Sequence, residues 1–154
     1  MSKKHLIYSL FLIVIDQVIK FLIVNNIRLN SSVNMINNFF EITNVKNTGA
    51  AWSILSNNVL LLIIIAIFAL VVIYHIFIKD KKLLKYQAYA YATLYAGIIG
   101  NLIDRVFLGY VIDYLSFNIF GYNFPVFNMA DMYIVLSMIV IIFYIYKEDS
   151  HGRI

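Results

Sequence analysis

The chain of 154 residues has no cysteine, one proline and six glycines, and only 13% of its positions are charged. The missing cysteine excludes disulfides, thiolate metal sites, a cysteine nucleophile and lipid attachment of the chain itself. A single proline and few glycines leave no linker that would divide residues 1–154 into domains, and no internal repeat is evident. The shortage of charge decides the class, because a soluble domain of this length is roughly one-quarter charged. What is present points the same way. Hydrophobic residues make up 62% of the chain, aromatics 16%, and mean hydropathy is +0.83. Such a chain cannot cover a water-facing surface, so the disordered, secreted disulfide-rich and cytosolic globular classes are excluded. It reads as an integral membrane protein.

Four apolar segments are each long enough to cross a hydrocarbon core of about 30 Å: residues 6–24, 59–78, 86–108 and 127–146. The net charge of +4 is explained by where the basic residues fall. Lys3, Lys4, Lys79, Lys81, Lys82, Lys85, Lys147 and Arg153 precede the first segment, separate the second from the third, or follow the fourth, whereas the alternate connections hold only Arg28 and Lys46. That asymmetry places both termini in the cytoplasm and connections 25–58 and 109–126 outside. It also removes any need for a nucleic-acid partner. The start, with Lys3, Lys4 and His5 before an apolar run, has the outline of a secretory signal, but Asp16, Gln17, Val18, Ile19 and Lys20 follow it and offer no small-residue cleavage site. An uncleaved first helix is expected. In the first outer connection Phe39, Phe40, Ile42 and Val45 partly alternate with Asn and Thr, which predicts short strands lying on the membrane surface. The second is aromatic-rich, as suits an interface.

Six ionisable residues lie within or at the ends of the spans: Asp16, Lys20, Asp104, Arg105, Asp113 and Asp131. Each costs about 2.5–3.5 kcal/mol at mid-bilayer, and on this topology all converge on the outer leaflet. Asp16 and Lys20, four apart with the acid first, form a pair that balances itself. Asp104 and Arg105 offer a second local balance. Subtracting both bases leaves Asp113 and Asp131 without partners. Two carboxylates brought together in a low-dielectric place share a proton, so one acts as base and the other as acid, which is the machinery of an aspartic protease.

The neighbouring residues favour a site. Gly97, Gly100, Asn101, Asp104 and Arg105 form one small and polar stripe on the third helix. Asn128 and Asp131 share a face of the fourth, with Pro125 expected in its first turn. Blander explanations exist for most of these residues: a structural ion pair for Asp16 and Lys20, helix packing for Gly97 and Gly100, a turn for Asn47 and Gly49, and an interface anchor for Trp52. His5, His75 and His151 are scattered, so neither a metal nor a cofactor is expected. Asp113 and Asp131 have no comparable structural explanation. A proton- or ion-coupled carrier also uses buried acids, but its relay would spread across the bilayer rather than crowd at one face.

These residues resemble bacterial lipoprotein signal peptidase, signal peptidase II, over essentially the whole chain. The family's Asp-x-x-x-Lys stands as Asp16 and Lys20, and its Asn-x-Gly-x-Ala-aromatic motif as Asn47, Gly49, Ala51 and Trp52. Gly-Asn-x-x-Asp-Arg followed by Gly-x-Val-x-Asp stands as Gly100, Asn101, Asp104, Arg105, Gly109, Val111 and Asp113, and Phe-Asn-x-Ala-Asp as Phe127, Asn128, Ala130 and Asp131. Trp52 replaces the usual Phe, and Ala96–Gly97 replaces the usual Gly-Gly. The resemblance implies a plasma-membrane aspartic endopeptidase with Asp113 and Asp131 as its catalytic dyad. It implies that Asp16, Lys20, Asn47, Gly49, Gly97, Asn101, Arg105, Asn128 and Ala130 shape the site or hold substrate. The implied fold is all-α, four transmembrane helices with a small extracytoplasmic β-cradle built from the first outer loop. The implied partners are a diacylglyceryl-modified prolipoprotein, cut on the N-terminal side of the lipidated cysteine, membrane lipid, and inhibitors of the globomycin type.

Overall fold

The computed structural model describes residues 2–50, 54–79 and 83–150, the last three by backbone alone. Helix α1 spans Lys3–Asn26, α2 Val59–Ile73, α3 Lys85–Leu108 and α4 Met129–Ser150. A π-helical turn, Tyr74–Ile78, lengthens α2. Among the described residues three helices, α1, the extended α2 and α4, are long and apolar enough to cross a membrane. Their outward residues fit that reading: Phe11, Phe21, Leu60, Phe68, Ile139 and Phe143 are all exposed.

Helix α3 differs because it is the hub, packed against α4, α1 and α2. A helix enclosed by others need not be apolar towards lipid, so it can carry the polar stripe inward. Small residues let the neighbours come close. Ala92 and Ala96 are fully buried, and a Cβ added at Gly97 would lie 2.5 Å from the Ala130 carbonyl oxygen and 2.7 Å from Ile134 of α4. One apolar core joins Ile78 to Ala90, Tyr91 and Leu94 of α3 and Ile141 of α4. At the other end of the bundle, Ile23 of α1 packs with Ile112 and Tyr114. Gly109 stops α3 with φ 79°, its N–H donating to the Arg105 carbonyl at 3.2 Å. That left-handed residue turns the chain directly into a strand.

Four antiparallel strands make one sheet in the order β1 (Ser32–Ile36), β2 (Phe40–Asn47), β3 (Val111–Ile119) and β4 (Tyr122–Asn123). The connection spanning residues 25–58 therefore does form strands. The expectation that this connection alone builds the sheet needs correction, because the aromatic second connection supplies β3, the longest strand, and β4. Alternation along β3 is hidden by burial at Val111, Ile112, Asp113 and Tyr114, which reads as a continuous run rather than a period of two.

The fourth helix also begins later than residue 127. Phe127 exchanges backbone hydrogen bonds with Leu115, donating at 3.1 Å and accepting at 2.8 Å. Its backbone belongs to the sheet, so Asn128 becomes the N-cap and Pro125 lies in the extended approach rather than in the first helical turn.

Candidate active site

The N-terminus of α4 meets β3 and the C-terminal half of α3. Asn128 and Asp131 form a reciprocal cap: the Asp131 N–H donates to Asn128 Oδ1 at 3.0 Å, and the Asn128 N–H donates to Asp131 Oδ2 at 3.1 Å. This is the capping-box arrangement with Asp at the third helical position. The Asn128 side-chain amide then points the other way and donates to Asp113 Oδ1 at 2.6 Å. Both acids thus hang on one residue, Asp131 from its backbone and Asp113 from its side chain.

Each acid has a second amide donor. Asn47 Nδ2 donates to Asp113 Oδ2 at 2.8 Å. Val45 lies opposite Asp113 across β2 and β3, so Asn47, two residues on, is its diagonal neighbour on the same face. Asn47 Oδ1 meanwhile accepts from the Gly49 N–H at 2.9 Å, so the turn explanation holds alongside the contact with the acid. Asn101 Nδ2 donates to Asp131 Oδ1 at 2.7 Å. Burial, with the Asp131 charge adding to it, pushes the Asp113 carboxyl up to about 7 against the lowering effect of its asparagine donors.

Behind this pair lies a buried ion cluster. Lys20 binds Asp16 at 2.9 Å and Asp104 at 2.9 Å, and donates to Asn101 Oδ1 at 3.0 Å. All three charged side chains are 1% exposed or less. Removing one partner of such a cluster leaves uncompensated buried charge, about 3–5 kcal/mol in comparable pairs. The simple pairing drawn from the sequence therefore changes. Asp104 pairs with Lys20, and Arg105 turns to the 25–58 connection, donating from Nη2 to the Gly49 carbonyl at 2.9 Å. Its Nε is buried without a protein partner.

Asp16 does more than neutralise lysine. One oxygen accepts the Ala130 N–H at 3.0 Å, in the first turn of α4. Tyr114 Oη accepts the Met129 N–H at 3.1 Å. The leading N–H groups of α4 are thus taken by α1, β3 and its own N-cap. Gly100 lets this happen, since a Cβ there would lie 2.8 Å from Asp16 Oδ2 and 3.3 Å from the Ala130 Cβ.

The structure brings Asp113, Asp131, Asn47, Asn101 and Asn128 into one hydrogen-bonded set. Asp16, Lys20, Gly97 and Ala130 sit one layer behind it, and Gly49 and Arg105 beside it. Ala51 and Trp52 lie outside the described residues. Two contributors escaped the sequence reading, Gln17 and Tyr114. Gln17 donates to Asp16, to Asp104 and to the Gly100 carbonyl. Asp104 also accepts the Ile112 N–H at 3.2 Å, fixing the start of β3. Tyr114 caps α4. Only Gln17 carried a visible signal, an amide beside Asp16 in an apolar helix. Among the described residues, no three His, Asp or Glu side chains gather as metal ligands would.

The profile of the family described as Signal peptidase (SPase) II matches residues 8–147. The chain belongs to the signal peptidase II family. Lipoprotein signal peptidases of Staphylococcus aureus strains MRSA252 and JH9 are each 38% identical to it over 158 aligned positions, covering 99% of this chain and 97% of theirs. Two solved bacterial membrane enzymes, determined in meso at 2.3 Å and 1.9 Å, superpose with TM-scores of 0.88 and 0.83. They are 37% and 38% identical, covering 97% and 94% of this chain and 92% and 94% of theirs. As a signal peptidase II it is a membrane-embedded protease with three long apolar helices and a small antiparallel sheet.

Proposed function

We propose that this signal peptidase II removes signal peptides from prolipoproteins by an aspartic mechanism in which Asp113 and Asp131 are the catalytic pair. The observation that carries it is the suspension of both carboxylates from Asn128, with Asn47 and Asn101 holding their outer oxygens. One ionised carboxylate takes a proton from water as the water oxygen adds to the scissile carbonyl carbon, and the protonated partner donates to the carbonyl oxygen. Collapse of the tetrahedral intermediate breaks the C–N bond. The amine leaves with a proton from the pair, and the signal peptide keeps the new carboxylate. Asn47, Asn101 and Asn128 fix the carboxylates, while Asp16, Lys20, Gly97 and Ala130 hold α4 against α1 and α3. Arg105 and Gly49 flank the place where substrate backbone would lie.

The substrate is a diacylglyceryl-modified prolipoprotein, cut on the N-terminal side of the lipidated cysteine. Its signal helix and acyl chains lie against the exposed apolar faces of α1, α2 and α4 without leaving the bilayer, so membrane lipid is part of the binding surface. Helix α3 is the fourth span, since 24 residues reach about 36 Å. Lys3, Lys79, Lys85 and Lys147 lie towards the ends of the helices remote from the sheet, which supports cytoplasmic termini and an extracytoplasmic cradle in the bacterial plasma membrane.

The test uses purified protein in detergent, a diacylglyceryl-modified precursor and a gel-shift readout. Wild type should cut the lipidated precursor and not its unmodified form, and globomycin should block the cut. Asp113→Asn and Asp131→Asn should fold and fail to cut. Near-normal activity in either variant removes the dyad.

A further inference from the structure

The end of the sheet farthest from the site carries a residue that its own turn disfavours. Strands β3 and β4 pair at Ile119 and Tyr122, so Phe120 and Gly121 form a two-residue loop. Both have positive φ, 52° and 87°, the pattern of a type I′ turn. The first position of that turn suits Asn, Asp or Gly, and a bulky aromatic with positive φ is strained. Phe120 gains nothing from the fold in return, since its side chain is fully exposed.

The surroundings repeat the anomaly. The β1–β2 hairpin reaches the same end, where the Asn118 N–H donates to the Phe39 carbonyl at 2.9 Å. Neither residues 33–40 nor residues 116–124 include a charged side chain. Val33, Met35, Ile36, Phe39, Ile119, Tyr122 and Phe124 are nonetheless exposed. Edge strand β1 thus lacks the lysines or prolines that protect an edge in water. Phenylalanine, tyrosine and asparagine without charge suit the boundary between headgroups and acyl chains. An open hollow of about 530 Å³ between the hairpins is lined by Asn38, Phe39, Asn118, Ile119, Phe120 and Gly121.

The course of β3 sets where this end lies. Ile112 and Tyr114 pack on Ile19, Ile23 and Ile27 at the end of α1 and on Met129 at the start of α4. Leu115 pairs with Phe127, just ahead of α4. Beyond it the partners of β3 are β2, β4 and aromatic rings. The strand crosses the helix ends and carries Phe120 about 16 Å past Leu115. The tip therefore lies within about 16 Å of the helix ends to which β3 is pinned.

We propose that the Phe120 hairpin tip inserts into the lipid interface beside the helices and anchors the free end of the sheet to the membrane. The inference rests on the helices being membrane-embedded and not on the aspartic chemistry, so cleavage remains a separate readout.

The absence of cysteine makes the test direct. Full-length protein carrying a single nitroxide at Phe120→Cys is placed in nanodiscs of phosphatidylcholine and phosphatidylglycerol, and its collisions with oxygen and with a water-soluble nickel chelate are measured. Phe68→Cys on the exposed face of α2 provides the lipid reference and Lys46→Cys the aqueous one. Accessibility of residue 120 to the nickel chelate is expected to be at least threefold below that of residue 46, with oxygen accessibility close to that of residue 68. Equal nickel accessibility at residues 120 and 46 overturns the proposal. So does protection that appears only after lipidated precursor is added, which would make the tip a substrate contact. In detergent, Phe120→Asn suits the turn and should melt no lower than wild type. A lower melting temperature would mean that the ring packs within the protein, against the proposal.

Discussion

At the scale of single residues, burial changes the chemistry of Asp113. It lies on β3 and is buried, and its carboxyl is raised from an ordinary value of 3.8 to about 7. Between those values the folded protein binds the proton more tightly than the unfolded chain, so stability falls as pH rises. Wild type should therefore lose melting temperature between pH 5 and pH 8 relative to Asp113→Asn, and parallel curves for the two would contradict the shift. Cleavage that needs one proton on the pair should weaken as pH passes about 7. Tyr114 makes a different contribution. Its hydroxyl is the acceptor for the Met129 N–H, so Tyr114→Phe leaves that donor unpaired and should cost about 1 kcal/mol by thermal or denaturant unfolding. An unchanged stability would show that the cap is not formed.

Among the elements, α3 and α4 carry the demand for close packing. Gly97→Ala drives a methyl group against the Ala130 carbonyl and Ile134, and should destabilise by about 1–3 kcal/mol and reduce cleavage together, because α4 carries Asp131. Full activity with normal stability would mean that α4 tolerates displacement. The helices were legible because apolar runs this long have few alternatives, and the first connection because Phe39, Phe40, Ile42 and Val45 betray strands. Strand β3 was hidden, since Val111, Ile112, Asp113 and Tyr114 are all buried and show no alternation. The true start of α4 was written in Asn128 and Asp131, whose spacing is a cap signature, but Pro125 drew the boundary towards itself. Counting charges singles out Asp113 and Asp131, and both hang on Asn128. The wiring around them is not legible in the sequence: Lys20 between Asp16 and Asp104 depends on packing of α1 on α3, and Arg105 on Gly49 depends on docking of the 25–58 connection against α3, neither of which a local pattern encodes.

For the whole molecule, the distribution of charge and the position of the sheet make one statement about orientation. A single Lys46→Cys should react with an impermeant maleimide added to intact cells, while Lys85→Cys should react only after lysis. The reverse pattern would invert the topology. Orientation and chemistry meet in the claim on which the account depends, that a strand and a helix far apart in sequence deliver two carboxylates acting as one unit through Asn128. Groups that act as a unit are non-additive. The decisive measurement is the single-turnover cleavage rate of wild type, Asp113→Asn, Asp131→Asn and the double variant on one lipidated precursor. The account predicts that each single variant loses as much activity as the double variant. Substantial activity in either single variant, or single losses that multiply in the double, would contradict it.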